Sequence, residues 1–100
     1  MTKEISLGVN RGRPRLWLEG QWLAEGGFTR HARYTVAVQT DRTLKLVIAP
    51  DGERKVSGKT KKDGSDHPII DFNGSDLQPY AGVVLSLTIA AGVITIRVKG

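Results

Sequence analysis

Cysteine is absent from the 100 residues, which excludes disulfide staples and thiolate metal sites. The two histidines cannot by themselves complete a closed structural zinc site, and no cofactor is implied. Long hydrophobic runs are missing as well. No stretch approaches the roughly 18 apolar residues of a spanning helix, and the opening Met-Thr-Lys-Glu has no apolar signal core. The expectation is a cytoplasmic protein with no membrane partner. The length leaves room for one domain, residues 1–100, and no large catalytic scaffold. What is present, 39% apolar and 25% charged residues, is the composition of a folded chain whose stability comes from packing.

Fifteen Lys and Arg against ten Asp and Glu give a net charge of +5. Most of the surplus sits in residues 1–50, which hold eight basic and four acidic side chains, against seven and six in residues 51–100. Arg11, Arg13 and Arg15 recur at every second position, and a second basic run holds Lys55, Lys59, Lys61 and Lys62. Such a balance suits a polyanionic partner, and it equally serves solubility.

The apolar periodicity is two, that of strands. Ile5, Leu7 and Val9 read as one strand, Leu16 and Leu18 as a second. Tyr34, Val36 and Val38, then Leu44, Leu46 and Ile48, read as a hairpin turning at Asp41 and Arg42. The one helical stretch of the first half is a turn or two from Gln21 to Ala24, stopped by Gly26 and Gly27. The second half repeats this order. Pro14, Leu16, Leu18, Gly20 and Leu23 match Pro68, Ile70, Phe72, Gly74 and Leu77 at an offset of 54, three of the five being identities. A hairpin follows again, Leu85, Leu87 and Ile89, a turn at Ala91 and Gly92, then Ile94, Ile96 and Val98. Alternation alone produces echoes between strands, but it does not dictate where Pro and Gly fall. The reading is a duplication, one unit over about 3–50 and the other over about 53–99. Neither unit buries enough surface alone, so the two share a core. Aligning Val56 with Val9 leaves residues 57–67 as an expanded, mobile basic loop in the second unit.

The stretch from Arg13 to Phe28, followed by Tyr34-Thr35-Val36-Ala37-Val38, joins a Pro-x-Leu-x-Leu-x-Gly strand, a Trp-Leu turn, a Gly-Phe corner and a Val-x-Val hairpin. In this it resembles the SymE-like toxin family, which looks derived from the AbrB/MazE swapped-hairpin β-barrels. The resemblance covers residues 13–49. Residues 54–98 would be a degenerate second copy without the Trp-Leu and Gly-Phe signatures. One departure is His31 and Ala32, where the family has glycine, so the turn there can differ. The resemblance implies an all-β, duplicated swapped-hairpin barrel, a pseudo-dimer in one chain, hence a monomer or weak homodimer. It also implies binding of DNA or RNA through basic side chains near the first strand, a toxin–antitoxin or regulator setting, and, for SymE-like proteins, an RNA-directed role. By position the binding face maps to Arg11, Arg13 and Arg15, and in the second unit to Lys55, Lys59, Lys61 and Lys62.

Arg13 and Arg15 project together from a strand's polar side, and guanidinium groups bond phosphate or guanine in bidentate fashion. The plain alternative is a solvated strand face. Trp17 alternates onto the same side and can stack on a base, or pack under a hairpin, which the reading favours; Trp22, beside Leu23, reads as core. Arg30 and Arg33 flank His31 and join the basic set. His31 among cations suits phosphodiester cleavage, but it has no assignable partner, and His67 lies in the other unit. Asp71 and Asp76 could be imagined as a metal pair, yet Asp71-Phe72-Asn73-Gly74-Ser75 reads as a strand end and turn capped by Ser75. Ser57-Gly58-Lys59-Thr60 lacks the strand–loop–helix context of a phosphate-binding loop. Binding is therefore expected rather than catalysis. The alternatives are an interaction protein of mobile elements that meets an acidic partner and inhibits a nucleic-acid-processing complex, and a small RNA-cleaving toxin.

Overall fold

The computed structural model describes residues 2–39 and 42–99, apart from the side chain of Asn10. Strands β1 (Thr2–Ile5), β2 (Gly8–Asn10) and β3 (Arg13–Glu19) lead into helix α1 (Gln21–Glu25) and strands β4 (Arg33–Val38) and β5 (Thr43–Ile48). The order then recurs as β6 (Arg54–Lys55), β7 (Ser57–Thr60), β8 (Asp66–Asn73), a 3-10 helix (Ser75–Tyr80), β9 (Leu85–Ala90) and β10 (Val93–Val98). Among the described residues these strands make two antiparallel sheets, a six-stranded one ordered β1-β9-β10-β5-β4-β6 and a four-stranded one ordered β2-β3-β8-β7.

Exchanging β1–β5 with β6–β10 leaves both sheet orders unchanged except for direction. The first strand of each set lies against the other set's hairpin: β1 pairs with β9, and β6 with β4. The register obeys the same exchange. In the four-stranded sheet Trp17 faces Asp71 at the centre, with Leu16 opposite Phe72 and Leu18 opposite Ile70. In the six-stranded sheet Lys45 faces Thr95, flanked by Leu46 with Ile94 and Leu44 with Ile96. Both central pairs join residues that the sequence offsets, 54 and 50, make equivalent. Backbone conformation recurs too. His31 (φ 78) stands where the second set has Gly82 (φ 76), and Arg42 (φ 63) where it has Gly92 (φ 76).

Period-two alternation explains the packing. Leu16 and Leu18 of β3 and Ile70 and Phe72 of β8 point inward, while Leu44, Leu46, Leu85, Leu87, Ile94 and Ile96 fill the facing side of the larger sheet. Leu23 of α1 and Leu77 of the 3-10 helix are fully buried in the same cluster. Burying each such side chain contributes about 1.5–3 kcal/mol, and the cluster draws on both halves of the chain. Helix α1 is short because glycines bound it. Gly20 sits at φ 134, and a Cβ there would lie 2.7 Å from Trp22 Cδ1. After Gly26 and Gly27 the chain turns so that the Phe28 N–H donates to the Leu23 carbonyl at 2.8 Å, and Phe28 packs edge-on against Tyr34.

The structure departs from the sequence reading at several points. Ile5, Leu7 and Val9 do not share a strand: β1 ends at Ile5 in one sheet and β2 starts at Gly8 in the other. Ile5 and Leu7 pack against the core, whereas Val9, on an edge strand, is 75% exposed. The counterpart of buried Val56 is then Leu7 rather than Val9, because Val9 and Gly58 hold the equivalent places opposite Pro14 and Pro68. Residues 57–67 are not a loop. Ser57–Thr60 is β7, paired with the start of β8, and the turn at the tip closes with Lys61 N–H donating to Ser65 O at 2.8 Å. Ser75 opens the 3-10 helix instead of capping it; Gly74 takes the cap position with no side-chain cap bond. Among the described residues no closed barrel forms, since each sheet ends in edge strands and β6 has just two residues. Of the expected turn, Arg42 takes the left-handed conformation, and Asp41 lies outside the described residues. Among the described residues no helix is long and apolar enough to cross a membrane.

Candidate nucleic-acid interface

The outer face of the four-stranded sheet gathers much of the predicted site. Alternation turns Arg13, Arg15, Trp17 and Glu19 outward from β3, and the register sets His67, Ile69, Asp71 and Asn73 of β8 beside them. Trp17 is not packed under a hairpin. It is 45% exposed at the centre of this face, because its neighbours there are side chains of the sheet itself.

Arg15 is not the bare cation that the alternating arginines suggest. Its Nε and Nη2 donate to the two carboxylate oxygens of Asp71 at 2.6 and 2.7 Å, the bidentate geometry favoured by planar guanidinium. Asp71 lies diagonally across the strand pair, within reach of a long side chain. That hydrogen bonding holds the Arg15 pKa above its ordinary value, opposed by the partial desolvation of the group. The guanidinium also lies over the Trp17 ring at 4.6 Å. On the other side of Trp17, the Glu19 carboxyl is kept below its ordinary range, chiefly by hydrogen bonding from Trp17, then by His67 and the nearby charge of Lys59. His67 Nε2 is 3.1 Å from Glu19 Oε2, and Lys59 Nζ is 3.9 Å from the same oxygen. The centre of the face thus holds two sets of contacts, Asp71 to Arg15 to Trp17 and Glu19 to His67, with its charges largely balanced.

The unbalanced cations stand at the two ends. One arm is the β2–β3 hairpin, whose turn, Arg11 and Gly12 at φ 54 and 79, has the two left-handed residues that tight hairpins need. Arg11 and Arg13 are exposed there, and among the described residues neither makes an ion pair. The other arm is β7–β8. Lys59, Lys61 and Lys62, with Thr60, line an open cavity of about 640 Å³ that reaches down to Glu19 and His67. The arm's tip is braced by Asp63, whose carboxylate accepts from the Ser65 N–H at 3.0 Å and hydroxyl at 2.6 Å, which also lowers the Asp63 pKa. Arg30 supports this arm as a strut, donating to Asp66 at 3.1 Å and Thr60 at 3.3 Å.

Arg33 and Lys55 fall elsewhere. They pair at the β4–β6 edge of the larger sheet, and Arg33 donates to the Gly52 carbonyl at 3.2 Å. His31 sits at a left-handed turn, its N–H donating to Val56 O at 2.9 Å, while the His67 ring is engaged with Glu19; no hydrogen bond joins the two histidines among the described residues. Trp22 packs against the core, donating from Nε1 to Glu19 O at 3.0 Å, with the Lys3 ammonium over its ring. Among the described residues no group of three metal-ligating side chains occurs, Asp71 and Asp76 included. Sequence reasoning missed Asp71, Glu19 and His67 as members of the face. The offset of 54 carried that signal, since a two-fold exchange must set Trp17 against Asp71.

No family model matches this chain, and neither a curated protein nor a solved structure matches it.

Proposed function

We propose that the protein binds nucleic acid non-catalytically through the outer face of its four-stranded sheet, the two basic hairpin arms engaging phosphates on either side of the central pair. We further propose that the chain is a fused, swapped-hairpin duplication of the SymE-like, AbrB/MazE-related kind. The crossing of β1 and β6, together with the shared central registers, supports the duplication. One observation carries the function: Arg11 and Arg13 on one arm, and Lys61 and Lys62 on the other, are exposed cations free of ion pairs among the described residues, on hairpins at opposite ends of one sheet. Exposed cations without an internal partner are what phosphate backbones attract.

The test compares two charge-neutralised proteins. Replacing Arg11, Arg13, Lys59, Lys61 and Lys62 by Ala should abolish oligonucleotide binding at about 0.15 M salt. Replacing Lys45 and Arg97, on the outer side of the six-stranded sheet, should leave it unchanged. Losses in proportion to the charge removed, five cations in one protein and two in the other, would mean that net charge alone attracts the ligand. Absence of binding in the unmodified protein would leave an acidic protein partner as the reading.

A further inference from the structure

Trp17 has a role that phosphate contacts do not require. A duplex buries its base faces in the stack, so a protein holding a duplex by its phosphates gains little from an aromatic ring in the middle of a sheet. Here the largest exposed side chain of the face is an indole placed on the approximate two-fold, midway between the cationic arms. Its position is held by a cation that is itself fixed: Arg15 lies over the ring at 4.6 Å and is clamped by Asp71. A ring so restrained loses little freedom when a ligand covers it.

The distances fit one strand of nucleic acid. Arg13 is four residues from Trp17 along β3, roughly 13 Å at the rise of a strand. Lys59 pairs with His67, which lies four residues from Asp71 in the opposite direction, because β8 runs antiparallel to β3. Arg13 and Lys59 thus flank the indole on opposite sides, Lys59 farther away because it stands on β7, two strands from β3.

We propose, building on the nucleic-acid reading above, that the ligand is single-stranded and that Trp17 stacks on one unpaired base while the two arms hold the phosphates before and after it. Arg15 is a positioning residue for the ring rather than a phosphate contact. The strand that spans both arms falls within the roughly 4–16 nucleotides that single-strand sites commonly cover.

The experiment titrates the full chain with an eight-nucleotide single-stranded oligonucleotide and with a duplex containing the same sequence, reading affinity and tryptophan fluorescence. For the single strand, Trp17→Ala should weaken binding roughly 5- to 150-fold, the effect of losing one aromatic–base stack. Trp17→Phe should restore most of the affinity, since a phenyl ring still stacks, and should remove the fluorescence quench that binding produces. The salt slope should stay at the unmodified value in both, because no phosphate contact is lost. The proposal is overturned if Trp17→Ala leaves single-strand affinity unchanged, or weakens single strand and duplex alike; in either case loss of binding on neutralising the arms would still uphold the wider reading. If the unmodified protein binds neither form, both readings fail and the exposed indole belongs to a protein contact.

Discussion

His31 offers a test of the proposed duplication that is independent of any ligand. Its backbone lies at φ 78, in the left-handed region, and its equivalent is Gly82 at φ 76. For a residue with a Cβ this conformation costs about 1–2 kcal/mol. Histidine tolerates it better than most. Replacing His31 by Gly removes that cost but adds unfolded-chain freedom worth about 0.4–1 kcal/mol, so the net expectation is a stabilisation of about 0.5–1 kcal/mol. Gly82→Ala is the mirror experiment. An added Cβ would meet no heavy atom within 4 Å, so the change acts through the backbone alone and should destabilise by a similar amount. In a 100-residue domain 1 kcal/mol moves the melting temperature by about 4–8 °C. Urea melts and thermal scans of both variants would therefore diverge in opposite directions, with nucleic-acid affinity unchanged for His31→Gly. If His31→Gly destabilises by more than about 1 kcal/mol, the His31 ring holds structure, and the turn is not a glycine position filled by another residue.

Other expectations follow from particular contacts. Asp71→Asn should release Arg15 from its bidentate partner and steepen the salt dependence of nucleic-acid binding by about 0.7–0.9 in slope, the value of one added phosphate contact; an unchanged slope would mean that Arg15 stays committed to Trp17. Gly52→Ala should cost about 3 kcal/mol, well beyond Gly82→Ala, because its Cβ would come within 2.5 Å of the Tyr34 backbone; denaturant melts give the difference. Burial pushes the Tyr34 pKa up to about 12, so the folded state keeps this proton while the unfolded chain loses it above pH 10. Stability should fall between pH 10 and 12 by about 2 kcal/mol, and Tyr34→Phe should flatten that part of the profile. Glu19 has the opposite sign. Its folded pKa is depressed below 4.5, so its contribution is present above that value and lost as pH falls through the folded pKa, and Glu19→Gln should make the acid limb of the stability curve shallower.

Most strands, the hairpin order and its recurrence in the second half were legible because each depends on local alternation and on where Pro and Gly fall. Pro14 and Pro68 mark equivalent places in strands that lie side by side, and Gly20 and Gly74 follow those strands directly. What alternation cannot say is which sheet a strand joins. Ile5, Leu7 and Val9 keep a perfect period of two across a break at which the chain passes from one sheet to the other. The strand character of Ser57–Thr60 was not readable because Gly and Lys have little strand propensity; pairing with β8, helped by the Ser57 hydroxyl donating to the Ile69 carbonyl at 3.1 Å, makes it a strand. In the site, side-chain direction was readable and neutralisation was not. Arg13 and Arg15 do share a face with Trp17, but the carboxylate that engages Arg15 comes from 56 residues further along the chain. Exposure of Trp17 was equally invisible, since it turns on the absence of a covering element rather than on the residue's own character.

The central claim is that the two hairpin arms meet phosphates, and the salt dependence of binding reads this most directly. The quantity is the slope of log K against log salt for a single-stranded oligonucleotide, measured on the unmodified protein and on the variant lacking Arg11, Arg13, Lys59, Lys61 and Lys62. With each phosphate contact contributing about 0.7 to the slope on a single strand, removal of five cations should flatten it by up to about 3.5. A variant that keeps the slope of the unmodified protein would contradict the account.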